Sequence, residues 1–431
     1  MLKHYHYPSQ IKKSKKFTFL VNNEVQEILE TNVAYFITIA YDEEIEIKIQ
    51  MDFNFKSIDI APHKEAVTVK CDKNEAVFSL SKNMFLQIKI PELEKPILFY
   101  GNRLPESVQP SDVTHYFAAG SCYEVGDIVL HDNESLYIES GAIVCGAIYA
   151  RKAKNVKIFG QGILDGSFFK GTPNKKMILL DECEHCTIED IILIEPTSWM
   201  IMLAGCNEIR INGIKEIGEV MSSDGIDIVG SSHIAIADCF LKNNDDCVVV
   251  KAFPADAAFP ESKWDKNVQN ILVERCIFIN DGGGNGIEIG HELMVPKISD
   301  IIFRDLDILQ VGGIGAPFSI HAGDRATVSD VIFENIRVEH YYCKIIDFRV
   351  MKSQFNRDTE RGQIKNIICR DIRLEEKNYN PGYTISVVGG YDENHLVDGV
   401  IFENFFINDR KIMNADELDI FTKHAKNIVF C

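Results

Sequence analysis

A four-residue unit returns along most of this chain: IEDI from Ile188, IADC from Ile236, VERC from Val273, FRDL from Phe303, FENI from Phe333, CRDI from Cys369 and FENF from Phe402. Ile158 and Ile211 begin looser copies, and successive starts lie about 23 to 37 residues apart, the shorter gaps in the middle of the chain. Short β-branched and aromatic runs fill the intervals, broken by Gly, Asn and Asp turns. No unit contains a convincing amphipathic helix, which excludes helical solenoids and βαβ folds. One unit cannot bury its apolar stripe alone. Stacked units can, because neighbouring coils sit one strand spacing apart, about 4.8 Å. The pattern predicts an all-β protein built on a right-handed parallel β-helix of about ten coils. Ile191, Cys239, Cys276, Leu306, Ile336, Ile372 and Phe405 should stack in one interior column. A β-propeller blade needs about 40 residues in four antiparallel strands, and these gaps are too short for it.

The first quarter of the chain reads differently. FTFLV, YFITIAY, EIEIKIQM, AVTVKC, AVFSLS and FLQIKI, between residue 17 and about residue 100, are short strand-like runs with polar connections. They predict a small antiparallel β-sandwich. The proline-bearing segment after them marks a boundary near 108, giving a sandwich over 1–108 and the β-helix over 109–431.

Composition narrows the partners. Lys and Arg number 45 against 64 Asp and Glu, a net charge of −19. An acidic surface of this kind argues against nucleic acid and against an anionic membrane. It also weakens the case for a polyanionic substrate. No run of about 18 apolar residues is present, so no membrane helix is expected. The start lacks an apolar stretch of signal-peptide length. Most of the 12 cysteines sit in apolar runs and fit buried free thiols in a reducing compartment, which points to a cytoplasmic location. Cys183 and Cys186 have two residues between them, but no second pair or His set completes a zinc site.

Two stretches depart from the repeat: SSDGIDIVG (222–230) and NNDDCVVVKA (243–252). Asp224 and Asp245 are 21 residues apart, about one coil, so their side chains should face the same way, with Asp246 adjacent. Asp190, Asp238, Asp305 and Asp371 at the repeat corner read as turn residues that bond backbone amides. A consecutive Asp pair one coil after another turn Asp is harder to explain that way. Clustered carboxylates repel, so at least one should stay protonated near neutral pH. Glycoside hydrolysis needs that division: one acid for the leaving oxygen, one carboxylate to activate water or attack.

SDGID, then NDDC, then GGGNGIEIG (282–290), resembles glycoside hydrolase family 28, the polygalacturonase-like β-helix enzymes. That family carries Asn-Thr-Asp-Gly, Asp-Asp-Cys and Gly-His-Gly elements in this order. GQGILDGS (160–167) and TSWMIML (197–203) resemble its entry coil and the aromatic coil before its active site. The sandwich, followed by YFAAGSCYEVGDIVL and LYIESGAIVCGAI, is also similar to family 49, the dextranase group. The resemblance implies that Asp245 is the general acid and that Asp224 and Asp246 hold and deprotonate the attacking water. It further implies single-displacement inversion with no metal or organic cofactor. Inversion needs acid and base about 6.5–9.5 Å apart.

Two positions depart from the family pattern. The family's His between glycines is Asn285 here, and its later Arg-x-Lys falls where Ser319 and His321 stand. An Asn carries no charge, and a neutral His321 does not replace a fixed cation. A neutral oligosaccharide or polysaccharide is therefore the expected substrate rather than galacturonate, although Lys251, Arg325 or Arg349 could meet an acid. Trp199 is a candidate for stacking on a sugar, and Lys251 for binding a hydroxyl or tuning Asp246. Glu288, expected to point outward between Ile287 and Ile289, His291 with Glu292, and Asn285 and His321 complete the candidate cleft. The rival readings are a uronate-acting hydrolase, lyase or epimerase on the same scaffold, and a non-catalytic glycan-binding β-helix. Oligomeric state is left open.

Overall fold

The computed structural model describes residues 1–376 and 385–431. From His115 to Phe430 the described residues form a single array of 30 strands, a right-handed parallel β-helix. The repeat read in the sequence is its ladder. Ile188, Ile211, Ile236, Val273, Phe303, Phe333, Cys369 and Phe402 pair in register, each with the next. Three residues further along, the predicted column from Ile191 to Phe405 is buried in the helix interior, with Ile214 filling the coil between Ile191 and Cys239.

The corner between these positions explains the recurring Asp and Asn. Asp190, Asp238, Asp305 and Asp371 have φ between 54° and 63°, the left-handed region. Short polar side chains tolerate that region because they can bond locally. Gly213 takes the same corner at φ 66° where the unit is loosest. The corner side chains also bridge coils: Asn335 Nδ2 donates to Asp305 Oδ1 at 2.6 Å, and Asn404 Nδ2 to Asp371 Oδ1 at 3.1 Å. Inside, Phe333 stacks on Phe303 at 5.4 Å and on Phe348 at 5.8 Å.

The N-terminal domain is a β-sandwich of a six-stranded and a five-stranded sheet closing on residues such as Phe19, Ile37, Ile47 and Phe99. One pairing departs from the antiparallel expectation: Ile97–Asn102 runs parallel to Tyr35–Tyr41. Parallel pairs occur where both faces are covered, and Tyr35–Tyr41 is buried at all its residues. Its outer face, through Phe36 with Leu98 and Tyr100, packs on Ile194, Ile217 and Phe240 of the helix. Tyr100 meets Phe240 edge-on at 5.4 Å. The sandwich therefore seals one face of the β-helix. The strands Ile201–Ala204, Ile226–Val229, Val248–Ala252, Ile287–Leu293 and Phe318–Ala322 lie on another face.

All 12 cysteines are free thiols. Among the described residues no helix is long and apolar enough to cross a membrane. The aromatic ladder is the interior contact most sensitive to truncation. Phe333→Ala removes a ring stacked on both neighbours and should cost about 3–5 kcal/mol, seen as a lower urea midpoint with unchanged β-sheet circular dichroism in the absence of urea.

Candidate active site

The register of the open face positions the carboxylates. Ile226 pairs with Val248, 22 residues on, and backbone bonds run from Met200 N to Asp224 O, Gly225 N to Asp246 O, and Cys247 N to Asn285 O. Followed back along the chain, this register sets Trp199 against Asp224, Asp224 against Asp246, and Asp246 against Asn285. The 21-residue count pointed to Asp245 as the in-register partner of Asp224. The coil is one residue longer, so Asp246 takes that place and Asp245 stands beside the pair.

Glycine makes room for this arrangement. Gly284, in GGGNG, passes so close to the Asp245–Asp246 peptide that a Cβ would lie 2.3 Å from Asp246 N and 2.5 Å from Asp245 Oδ1. Beyond it, Asn285 fixes Asp246: its backbone N and its Nδ2 both donate to Asp246 Oδ1, at 2.7 and 2.9 Å. Asn285 Nδ2 also reaches Glu288 Oε2 at 3.1 Å, while its Oδ1 accepts from Ala316 N and Ser319 Oγ. Its side-chain amide is thus engaged by protein on all sides.

Strand alternation adds a carboxylate that motif reading passed over. Asp227 points outward between Ile226 and Ile228, in register with Val249, Glu288, Ser319 and Asp347 on the following coils. Lys251 Nζ bridges two acids, lying 3.0 Å from Asp224 Oδ2 and 2.9 Å from Asp227 Oδ1. Asp224 Oδ1 and Asp227 Oδ2 are buried without a hydrogen-bond partner. The signal for Asp227 was present in GIDIV, an acid at the outward position of an otherwise apolar strand.

Burial and mutual repulsion raise the proton affinity of the group. Asp245 is pushed up to about 7, by burial first and the Asp224 charge second. Asp246 is raised by burial, Glu288 and Asp245. Burial raises Asp224 too, with Lys251 opposing. For Lys251 burial opposes the charge, but Asp224 and Asp227 outweigh it and the ammonium stays protonated. One lysine faces more carboxylates than it can neutralise, so the cluster retains protons near neutrality.

The remaining candidates divide. Glu288 points outward as expected, but it is 1% exposed and holds His321 Nδ1 at 2.9 Å, so it supports the site from behind and has no surface to offer a sugar. His321 is charged rather than neutral. Burial opposes its charge, but Glu288 and Asp347 overcome this and raise it to about 9. Its Nε2 lies 3.3 Å from Asp347, so both nitrogens are engaged. His291 stacks on His321 at 4.6 Å, and its Nδ1 is 3.3 Å from Ser353 Oγ. Glu288, His291 and His321 offer ligand atoms within 4.8 Å of one another. With both nitrogens turned to carboxylates, the charged His321 has no lone pair to offer a metal ion. Glu292 meets Arg357 at 3.5 Å. Trp199 is half-buried, with Lys251 Nζ 3.9 Å and Lys176 Nζ 4.2 Å from its ring centroid, so it steadies two ammonium groups.

Lys251→Met would leave Asp224 and Asp227 without their cation and raise the pH at which they bind protons. The expected outcome is a loss of about tenfold or more in kcat/KM, with the acid limb of the pH profile displaced to higher pH in steady-state rates.

Comparison with known proteins identifies the family and the fold. Residues 104–385 match the family model described as "Glycosyl hydrolases family 28". Rhamnogalacturonase A of Aspergillus aculeatus is 28% identical over 213 residues, covering 48% of this chain and 43% of that protein. Exopolygalacturonase A of Aspergillus niger is 27% identical over 265 residues, covering 53% and 57%. The chain spans about half the length of these curated relatives. Dex49A from Penicillium minioluteum shares the fold across both domains, with a TM-score of 0.66 at 13% identity, covering 97% of this chain and 96% of that one. By the match over its β-helix, the chain belongs to glycosyl hydrolases family 28.

Proposed function

We propose that this glycoside hydrolase cleaves its substrate by single displacement with inversion, using Asp224, Asp245 and Asp246. The observation that carries the reading is the in-register pair Asp224 and Asp246 on neighbouring coils, with the more exposed Asp245 alongside. Asp245, protonated below about pH 7, donates its proton to the glycosidic oxygen as the bond to the anomeric carbon breaks. A water held between Asp224 and Asp246 attacks the opposite face of that carbon and passes its proton to one of them. Asn285 keeps Asp246 Oδ1 in place, and the buried Asp224 Oδ1, free of protein donors, suits a water proton. Lys251 holds negative charge on the Asp224 side.

At the two coils where the bond breaks, the bound sugar is neutral. The groups standing where the family keeps its cations are held by acids of the protein: His321 lies between Glu288 and Asp347, and Arg349 Nη2 lies 2.8 Å from Asp347 Oδ2. Arg325 pairs with Asp358 at 2.8 Å. None of these offers a free cation to a carboxylate at this point. The curated relatives, named as rhamnogalacturonases and exopolygalacturonases, support a polysaccharide as the source of the substrate.

The test is a panel of neutral and uronate-containing oligosaccharides read by reducing-sugar release, with NMR assigning the first-formed anomer. Inverted product is expected, and activity should fall as pH rises through about 7, where Asp245 loses its proton. Asp245→Asn should lower kcat by at least about a hundredfold with the fold intact by circular dichroism. Retained stereochemistry, or wild-type turnover by that variant, would refute the assignment.

A further inference from the structure

Upstream of the Asp pair the cleft opens into a cavity of about 490 Å³, whose walls include Tyr149, Lys176, Trp199, Phe253, Phe259 and Trp264. The long connection after Ala252 forms its roof. Trp264 Nε1 donates to Asp181 Oδ1 at 2.7 Å and Ser262 Oγ to Asp181 Oδ2 at 2.6 Å, which ties that connection down over earlier coils. Arg357 lies over the Phe253 ring at 4.1 Å. Aromatic walls of this kind suit the apolar faces of sugar rings.

The cations of this cleft differ in what they already hold. Lys251 sits between Asp224 and Asp227, Lys175 pairs with Asp127, and Arg357 reaches Glu292. Lys176 is the exception. Its Nζ donates to Ser198 Oγ at 3.2 Å and lies over Trp199, and among the described residues it forms no ion pair. The charged groups that face it are Asp227, Asp224, Lys251 and Asp256. The first two acids are held by Lys251, and Asp256 is exposed. The site is also built at a fixed offset. Lys176 occupies the coil before Trp199, two coils before Asp224, or about 10 Å along the helix.

The geometry points to a subsite in this cavity for a carboxylate-bearing sugar, with Lys176 as the residue that binds its carboxylate. This rests on the hydrolase reading above and extends it: the substrate carries its negative charge upstream of a neutral cleavage point. Recognition of the acid is then displaced from the coils carrying Ser319 and His321 to the other side of the catalytic pair. Burial pulls the Lys176 ammonium toward neutrality, and a bound carboxylate would restore its charge.

The experiment compares oligogalacturonides and rhamnogalacturonan oligosaccharides with the carboxyl-reduced forms of the same mixtures. Wild type should favour the acidic form. Lys176→Met should collapse that preference by about tenfold or more, the size expected for one charge-assisted hydrogen bond, with the change in KM rather than kcat. Lys176→Arg should keep most of it. Calorimetric binding of the same probes to Asp245→Asn, with and without Lys176→Met, reads the subsite separately from turnover. Failure of hydrolysis and failure of the subsite are therefore distinguishable. An unchanged preference in Lys176→Met overturns the proposal, as does an equal loss of kcat on both forms with a shifted pH profile, which would mean that Lys176 acts on Asp224 and Asp227. Absence of any preference for the acidic form in wild-type turnover and binding overturns it too.

Discussion

Backbone hydrogen bonding between successive coils governs everything else in this molecule. Each peptide on the open face bonds to one coil on either side, so a side chain's height along the helix is set by coil number and its direction by strand alternation. The corner residues in the left-handed region keep this register from drifting, since a slip of one residue would turn every interior Ile and Phe outward. Asp224 and Asp246 meet because Ile226 pairs with Val248. No long-range side-chain contact is needed to bring them together.

That rigid frame concentrates charge, and the compensation is local. Four carboxylates, Asp224, Asp227, Asp246 and Glu288, are each no more than 8% exposed within a few coils. Lys251 answers the first two, Asn285 bonds Asp246 and Glu288, and His321 answers Glu288 while leaning on Asp347. A buried carboxylate without such partners would simply take up a proton. The site thus retains protons as a group, and Asp245 is the most open to solvent of its clustered aspartates. Asn285 and His321, at the two places where the sequence departs from the family pattern, belong to this internal balance.

The parts of the fold legible in the sequence are those where backbone conformation constrains residue choice. The IEDI-type units betray the helix because its corner accepts few residue types and its interior column must be apolar. The sandwich showed in its alternating strands, but the parallel pairing of Ile97–Asn102 with Tyr35–Tyr41 depends on the second face being covered by a distant coil. Asp224, Asp245 and Asp246 stood out by motif, whereas their exact pairing depended on one residue of coil length. Asp227 was readable from strand alternation. Lys176 was not: it is the second of two lysines in a polar connection, 48 positions before Asp224, and only stacking brings the two near each other.

Stacking also makes the open face a ruler graduated in whole strands. Lys176, Trp199, Asp224, Asp246 and Asn285 mark five successive graduations of about 4.8 Å. On the proposed function, a polysaccharide lying along them would be measured in steps that the protein cannot subdivide. A change in the distance between where a chain is held and where it is cut therefore requires the gain or loss of an entire coil. Insertions within a coil, such as the connection from Phe253 to Trp264, leave those graduations untouched. They alter the walls of the channel and not its scale.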